Sequence, residues 1–580
     1  MELKRGRLTR RAFLRAGGSG AAALALAACG GGSGNGGSGK TVAATRTTGA
    51  TGTRTAGTTA TPTQPPLAPT LRYAGLVADD GVFDPHKTQA GPFYGQQSLV
   101  FSRLLAYESQ ADGTIVSDLA AAMPEQPDER TYIFRIRPGA RWHDRFPLNG
   151  RAVTAEDVKY SIERQRDGDA SFVRKARWQN VESIEVPAPD VVKVTVAAPL
   201  ATMVPTFAGV NAFIVAPETS PDGQDINLDL QAGSGPFRWV EWSPGSLASA
   251  SRNPDWYGGG GRPALSGIDV VQPRDSQDLE AQVRVKKLDA AMLGRRQADA
   301  LRTSIPELVE TTGGASAFFG MRFFTPQVPY NDPRFRRAVS IALDRQAMID
   351  RFFDGSGQMS PWVSWPMSGW TLPQSELTTL PGYRAGAGGR EQDVAEARAL
   401  MAAFASQGTV PADNALFVIN EAEAAVGIGS LMRDQLKAAL DLNVTVYPIT
   451  ISELVSRLFQ GEAPWAAGPD TGSIDLDDWL YPYFHSSGLK NSMAVRDPEL
   501  DALIESQRTT FETEARRAIG HDVQRRLMGL DAAVNFVSER LVVLTWPYVQ
   551  SFPIDASDGY QHRFAETSID ATHASFRGRP

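Results

Sequence analysis

Tyr132-Ile133-Phe134-Arg135-Ile136-Arg137-Pro138-Gly139-Ala140-Arg141-Trp142-His143-Asp144 leads, after three residues, into Leu148-Asn149-Gly150 and then Thr154-Ala155-Glu156-Asp157-Val158-Lys159-Tyr160-Ser161. Tyr132, Phe134 and Ile136 fall on one face of an extended chain and Arg135 and Arg137 on the other, the alternation of a half-buried strand. Pro138-Gly139 ends it in a turn where glycine permits a positive φ, and Trp142 is expected to pack beneath. Thr154 then reads as a helix N-cap, with Glu156 and Asp157 suited to the positive end of the helix dipole. Val158, Ser161 and Ile162 follow at helical spacing.

The same alternation of element types continues outward. Leu71 to Val77 reads as a strand followed by the turn Asp84-Pro85-His86, and Val192, Val194 and Val196 alternate with Lys193 and Thr195. Asp332-Pro333 reads as N-cap and first helical residue, above an apolar stripe of Phe335, Ala338, Val339 and Ala342. Asp497-Pro498 does the same for Leu500, Leu503 and Ile504. Asp393 is expected to start a helix carrying Ala397, Leu400, Met401 and Phe404. Strands interspersed with helices predict an α/β body, and no fixed period points to a solenoid or propeller.

Composition narrows the function. The chain has 580 residues and a net charge of −7, with no basic run beyond its first residues, so nucleic acid is not an expected partner. Cys29 is the single cysteine, which rules out a fold resting on disulfides or thiolate metal sites. The six histidines, His86, His143, His485, His521, His562 and His573, include no pair at i, i+4, so no protein metal site is expected. A metal carried inside a small chelator stays open. No nucleophile elbow, zinc-protease helix, phosphate loop or dinucleotide fingerprint occurs. An exported hydrolase is therefore the reading with least support.

The first residues carry an address. Thr9-Arg10-Arg11-Ala12-Phe13-Leu14-Arg15 has the paired arginines of a twin-arginine export signal, and Leu26-Ala27-Ala28-Cys29 resembles a lipobox whose cysteine is acylated. The 13-residue run Ala16 to Ala28 falls short of the about 20 residues that span a bilayer. Residues 1–29 are read as a signal peptide, a disordered basic N-terminus being the alternative. Residues 30–70, rich in Gly, Ser, Thr and Pro, read as a tether with a root-mean-square reach of about 35 Å. The 510 residues from Leu71 onward exceed one hydrophobic core.

Five segments in order resemble the extracytoplasmic solute-binding proteins of family 5, the dipeptide/oligopeptide/nickel-type lipoproteins of ABC importers. They are Asp84-Pro85-His86; Tyr132 to Ser161; Gly233-Ser234-Gly235-Pro236-Phe237 with Trp242 to Gly245 and Arg252 to Gly258; Asn331 to Arg345; and Asp475 to Leu480 with Asp497 to Asp501 and Arg516-Arg517. The resemblance implies a two-lobed α/β fold of the periplasmic-binding-protein type II kind, with an extra subdomain inserted in the first lobe. By position, lobe I would take 71–103, 233–315 and 535–580, the insertion 104–232, and lobe II 316–534. It also implies a receptor, monomeric and without cofactor or catalysis, that closes by a hinge on a peptide and presents it to a membrane permease. An oligosaccharide or nickel chelate as solute, or a sensor role, stays open. The place implied is the outer face of the cytoplasmic membrane, in a periplasm or at the cell surface, held by lipid on Cys29.

On this resemblance Phe93 and Tyr94 line the first-lobe side of the cleft, and Trp465 and Trp479 are further wall candidates. Peptide-binding relatives hold the ligand's α-ammonium with an aspartate three residues ahead of the position matching Asp475, where this chain has Gly472. Asp470 or Asp475 would then take that role. Asp475, Asp477 and Asp478 are equally readable as capping groups for the helix beginning near Trp479. Trp362, Trp365 and Trp370 read as a pocket wall or as packed rings.

Overall fold

The computed structural model describes residues 69–77, 81–88, 91–109, 113–361, 368–420, 423–471, 475–554 and 561–580. Arg10, Arg11, Cys29 and nearly all of the expected tether lie outside the described residues.

The described strands begin with β1 (Leu71–Ala74), a hairpin of β2 (Leu105–Ser109) and β3 (Thr114–Ser117), and a four-stranded sheet of β4 (Glu125–Asp128), β5 (Thr131–Arg135), β6 (Val181–Ala188) and β7 (Val191–Val196). There follow β8 (Phe237–Ser243), β9 (Leu247–Arg252), β10 (Gly267–Val271), β11 (Ala290–Leu293), β12 (Val309–Phe323), β13 (Gly357–Met359), β14 (Asn414–Ile419), β15 (Val444–Ile449), β16 (Trp465–Thr471) and β17 (Ala533–Thr545). The helices that matter below are α1 (Gly91–Val100), α2 (Ala155–Asp167), α3 (Lys175–Trp178), α4 (Pro333–Ala342), α5 (Leu476–Phe484), α6 (Pro498–Thr509) and α7 (Thr513–Leu530).

One 11-stranded sheet runs in the order β15-β14-β16-β12-β17-β11-β1-β10-β9-β8, with β13 pairing on β17. Its spine is the antiparallel pair β12–β17. Val309 to Gly313 pair with Thr545 to Leu541 at one end, and Gly320 to Arg322 with Asn535 to Ala533 at the other. Between them the ladder shifts register twice, at Gly314/Phe318 and at Phe319/Gly320. Such shifts bend a strand and weaken its pairing locally.

Among the described residues four hydrophobic cores lie about this frame. The first gathers Leu71, Phe101, Phe237, Ile268, Leu293, Val542 and Tyr548; the second gathers Phe323, Phe335, Val339, Leu416, Trp465 and Phe536. The third is drawn entirely from residues between Leu104 and Ala232, among them Tyr132, Phe134, Trp142, Trp178 and Phe207. The fourth joins Phe318 and Trp370 to Trp479, Leu500, Ile504 and Val523 on the helices after β16. Each buried ring or branched side chain contributes about 1.5–3 kcal/mol, which is why the chain breaks into units that each close a core.

The capping readings hold in detail. Thr154 precedes α2, and Asp157 turns back to accept from the Thr154 backbone N–H at 2.9 Å, the reciprocal half of a capping box. Asp157 also takes Trp142 Nε1 at 3.2 Å and both Nη atoms of Arg151 at 2.8 and 2.7 Å. Asp332 caps α4 through Arg334 N, and Asp497 caps α6 through Leu500 N. Gly139 has φ 80°. One expectation fails: the helix expected to start at Asp393 runs Gly386–Ala405. Asp393 sits within it as a buried partner of Arg384, so the side chain that resembles a cap serves an ion pair.

Candidate functional site

β1 and β11 lie parallel, both running toward the irregular middle of β12, because Tyr73 pairs with Ala290 and Ala290 to Leu293 pair with Thr545 to Val542. From the opposite side β16 runs toward the same place, its Trp465 level with Phe323 and its Thr471 level with Ala317. β14 is parallel to β16. The carboxyl ends of the parallel strands of both sheet halves therefore converge on one seam. Open α/β sheets bind ligands in the crevice beyond those ends, where backbone groups and helix N-termini are unpaired. The segments that leave β1 and β16, toward His86 and α1 on one side and α5 on the other, form the candidate site.

The first side is fixed by a buried node. Asp84 accepts from Arg164 Nη1 at 3.0 Å and Nη2 at 2.5 Å, from Ile226 N at 3.0 Å, and from His86 N at 3.0 Å. Burial pushes the Asp84 carboxyl up, but hydrogen bonds and charge from Arg164 outweigh it, and the group ends below its usual range. His86 bonds Phe213 O through Nε2 at 2.8 Å and meets Arg164 through Nδ1 at 3.0 Å. Burial, then the Arg164 charge, hold it down to about 4, so it is neutral and donates from Nε2. A second fastening lies close by: His143 takes Gly233 O through its backbone N–H at 2.7 Å, and its Nε2 meets Gly235 O at 3.0 Å. A Cβ on Gly233 would stand 1.9 Å from Val100 O, so only glycine fits there. The Asp-Pro-His and Gly-Ser-Gly-Pro-Phe segments thus tie the third core's unit to the first.

The second side is fixed by α5. Asp475 is its N-cap, accepting from Asp477 N at 2.9 Å, and its two oxygens receive Arg516 Nη1 and Nη2, each at 2.8 Å. Burial raises this carboxyl; the charge and hydrogen bonds of Arg516 more than offset it and leave it below its usual range. Both oxygens of Asp475 are therefore occupied from within, and the expectation that it meets a ligand gives way to the capping alternative. Trp465 is likewise corrected. It lies at the far end of β16, about 20 Å from Thr471 at about 3.3 Å per residue. There it is fully buried against Phe323 and Tyr330, with Nε1 on Met321 Sδ at 3.4 Å.

Trp479 packs in the fourth core against Phe318 at 5.2 Å and Tyr483 at 4.6 Å; Phe318 belongs to the seam, so the ring supports that wall from behind. Tyr94 is half-buried against the third core. The backbone of Phe93 lies in α1 and that of Asp470 in β16 opposite Phe318, while their side chains lie outside the described residues, as do Gly472, Trp362 and Trp365. Trp370 is a packed ring, 5.5 Å from the Arg516 guanidinium and 5.2 Å from that of Arg517. The sequence singles out Arg516 but not Arg164, and it pairs neither with its aspartate, because the two stand 41 and 80 positions from them. Among the described residues no group of three His, Cys, Asp or Glu is placed to hold a metal ion. No helix among them is long and apolar enough to cross a membrane.

A family model described as bacterial extracellular solute-binding proteins, family 5 Middle, matches residues 114–491. The chain is 24% identical over 499 residues to the probable di/tripeptide-binding protein 5 of Pseudomonas aeruginosa, covering 80% of this chain and 89% of that one. It is 25% identical over 478 residues to protein XP55 of Streptomyces lividans, covering 75% and 78%. Among solved structures, the oligopeptide-binding protein AppA of Bacillus subtilis, in complex with a nonapeptide, superposes with a TM-score of 0.68 at 16% identity. That match covers 87% of this chain and 100% of the other.

Proposed function

Because this chain belongs to family 5 of the bacterial extracellular solute-binding proteins, we propose that it captures peptides in the seam between its two sheet halves and delivers them to an ABC permease. The observation that carries this reading is the convergence of parallel-strand carboxyl ends from both halves on one crevice. An extended peptide in such a crevice pairs with protein backbone, which gives affinity without reading side chains. We assign 71–103, 233–315 and 535–580 to lobe I, 104–232 to the inserted subdomain and 316–534 to lobe II; the separate cores support this division in the main, with Phe213, Val215 and Ile226 of the insertion packing in the first core and Phe536 and Val537 in the second. The register shifts of the β12–β17 spine suit a hinge between lobes, and a ligand that touches both lobes favours closure by its differential affinity.

Capture of this kind makes and breaks no covalent bond. Tyr94 and Phe93 on lobe I, and Asp470 at the end of β16, are the residues we assign to the ligand, Asp470 to its ammonium. Export through Arg10-Arg11 and acylation of Cys29 would keep the receptor beside its permease at the membrane surface. The test is a thermal-shift panel of peptide pools, oligosaccharides and nickel chelates on the full chain. A bound solute at 100 times its Kd adds about 2.7 kcal/mol, a rise of a few degrees. Peptides are expected to give it and Asp470→Asn to lose it. A response to sugars or chelates alone would replace peptide as the solute.

A further inference from the structure

The inserted subdomain touches lobe II directly, at the helix that follows β16. Arg177 on α3 of the insertion sets Nη1 3.7 Å from Asp477 Oδ2 and Nη2 against Asp478 Oδ1, both acids in the first turn of α5. Arg174 Nη1 lies 4.0 Å from Asp478 Oδ1. On the lobe II side Asp477 Oδ1 is steadied by Gln507 Nε2 at 2.9 Å and Arg508 Nε at 3.2 Å. The backbone N–H of Ala201 in the insertion donates to Arg508 O at 2.8 Å. Arg177 and Asp478 keep 21% and 18% of their side-chain surface in water; Asp477 keeps only 7%, but Gln507 and Arg508 stay with it when Arg177 leaves.

We propose that Arg174 and Arg177 with Asp477 and Asp478 form a latch that holds the inserted subdomain against lobe II, so that the closed form is populated before any solute arrives. This rests on the hinge reading above and assigns the pairs that set its resting balance. The geometry is one of side chains on two separately cored units, with one backbone hydrogen bond between them, and it sits at the end of the crevice. The acids lie on the helix that Asp475 caps, a few residues after Asp470. A solute that favours closure therefore strengthens the latch, and the latch strengthens solute binding by the same factor. A closed form already populated also lowers the selection cost that a solute must meet.

The latch is read without any solute, so a failure to bind peptide and a failure of the latch are separate results. In the full chain with Cys29→Ser, nitroxides are placed on cysteines at Phe146 of the insertion and Leu489 of lobe II, which are 71% and 82% exposed. Interspin distances are then compared for this parent, Arg177→Glu, and Arg177→Glu with Asp478→Arg. The parent is expected to show one dominant distance. Arg177→Glu should raise a second population at least about fivefold, and the charge-reversed pair should return it to the parent. NaCl at about 0.5 M should act on the parent in the same direction as Arg177→Glu. Distances in Arg177→Glu that match the parent would overturn the latch, as would a reversed pair that stays open. Should the Glu variant fail to fold, Arg177→Gln and salt on the parent carry the same comparison, and unchanged distances in both overturn it.

Discussion

The unit assigned as the inserted subdomain is fastened toward both lobes, and the fastenings on the two sides are built differently. Toward lobe I, Asp84 and Arg164 are 1% and 6% exposed in their side chains, and the carboxylate is shared with two backbone N–H groups. Toward lobe II, Arg177 meets Asp478 with 21% and 18% of the two side chains in water, while the more buried Asp477 keeps Gln507 and Arg508 as partners of its own. A buried pair cannot part without leaving an uncompensated charge, whereas an exposed one trades its partner for water at little cost. The first is a permanent joint and the second a contact that a moving lobe can release. Burial and backbone anchoring, not the number of charges, separate them.

The largest effect expected from this contrast is at the joint. Arg164→Met strands the Asp84 carboxylate and should cost about 3–5 kcal/mol of stability in chemical denaturation, while Arg177→Gln should cost about 1 kcal/mol or less. Equal losses would erase the distinction. Acid should sharpen it next. His86 is held down to about 4 by burial and then by the Arg164 charge. His143 and His562 are each held down to about 3, by burial first. A depressed histidine adds stability that is fully present above its unfolded value near 6.5 and is lost as pH falls toward the folded value. Each should remove about 1 kcal/mol per pH unit between about pH 6 and 4. All three lie in lobe I or in the insertion facing it, so the unfolding midpoint should fall from pH 7 to pH 5 as that side loosens. A flat profile would break the assignment of these rings as buried and neutral. The smallest effect is on the latch side. Gly113 has φ +79°, and a Cβ there would stand 2.9 Å from Trp370 Nε1 of lobe II. Gly113→Ala should cost about 1 kcal/mol and weaken that contact. An unchanged melt would mean that the turn does not press on lobe II.

Much of the scaffold was legible because its signals are local. Thr154 before Asp157, Asp332 before Pro333 and the alternation at Tyr132 each act within one turn or one strand, so short-range sterics and hydrogen bonding decide them. Asp393 shows where that reasoning stops: its position resembles a cap, but Arg384 holds it inside a helix that begins at Gly386. The site was less legible for the same reason. Trp465 and Asp475 are residue types that suit a ligand wall. The aromatic neighbours that bury the ring stand far off in the chain, as does the arginine that occupies the acid.

The sequence by itself determined the membership of this chain, its element types and caps, the absence of thiol chemistry beyond Cys29, and the glycines that its tightest crossings require. Only the tertiary structure decided which charges are spent internally, which strand ends meet at one crevice, and which ion pairs are buried or reach water. The physical reason is range. Capping and alternation are settled between neighbours, whereas burial, pairing and strand convergence depend on partners that folding brings together.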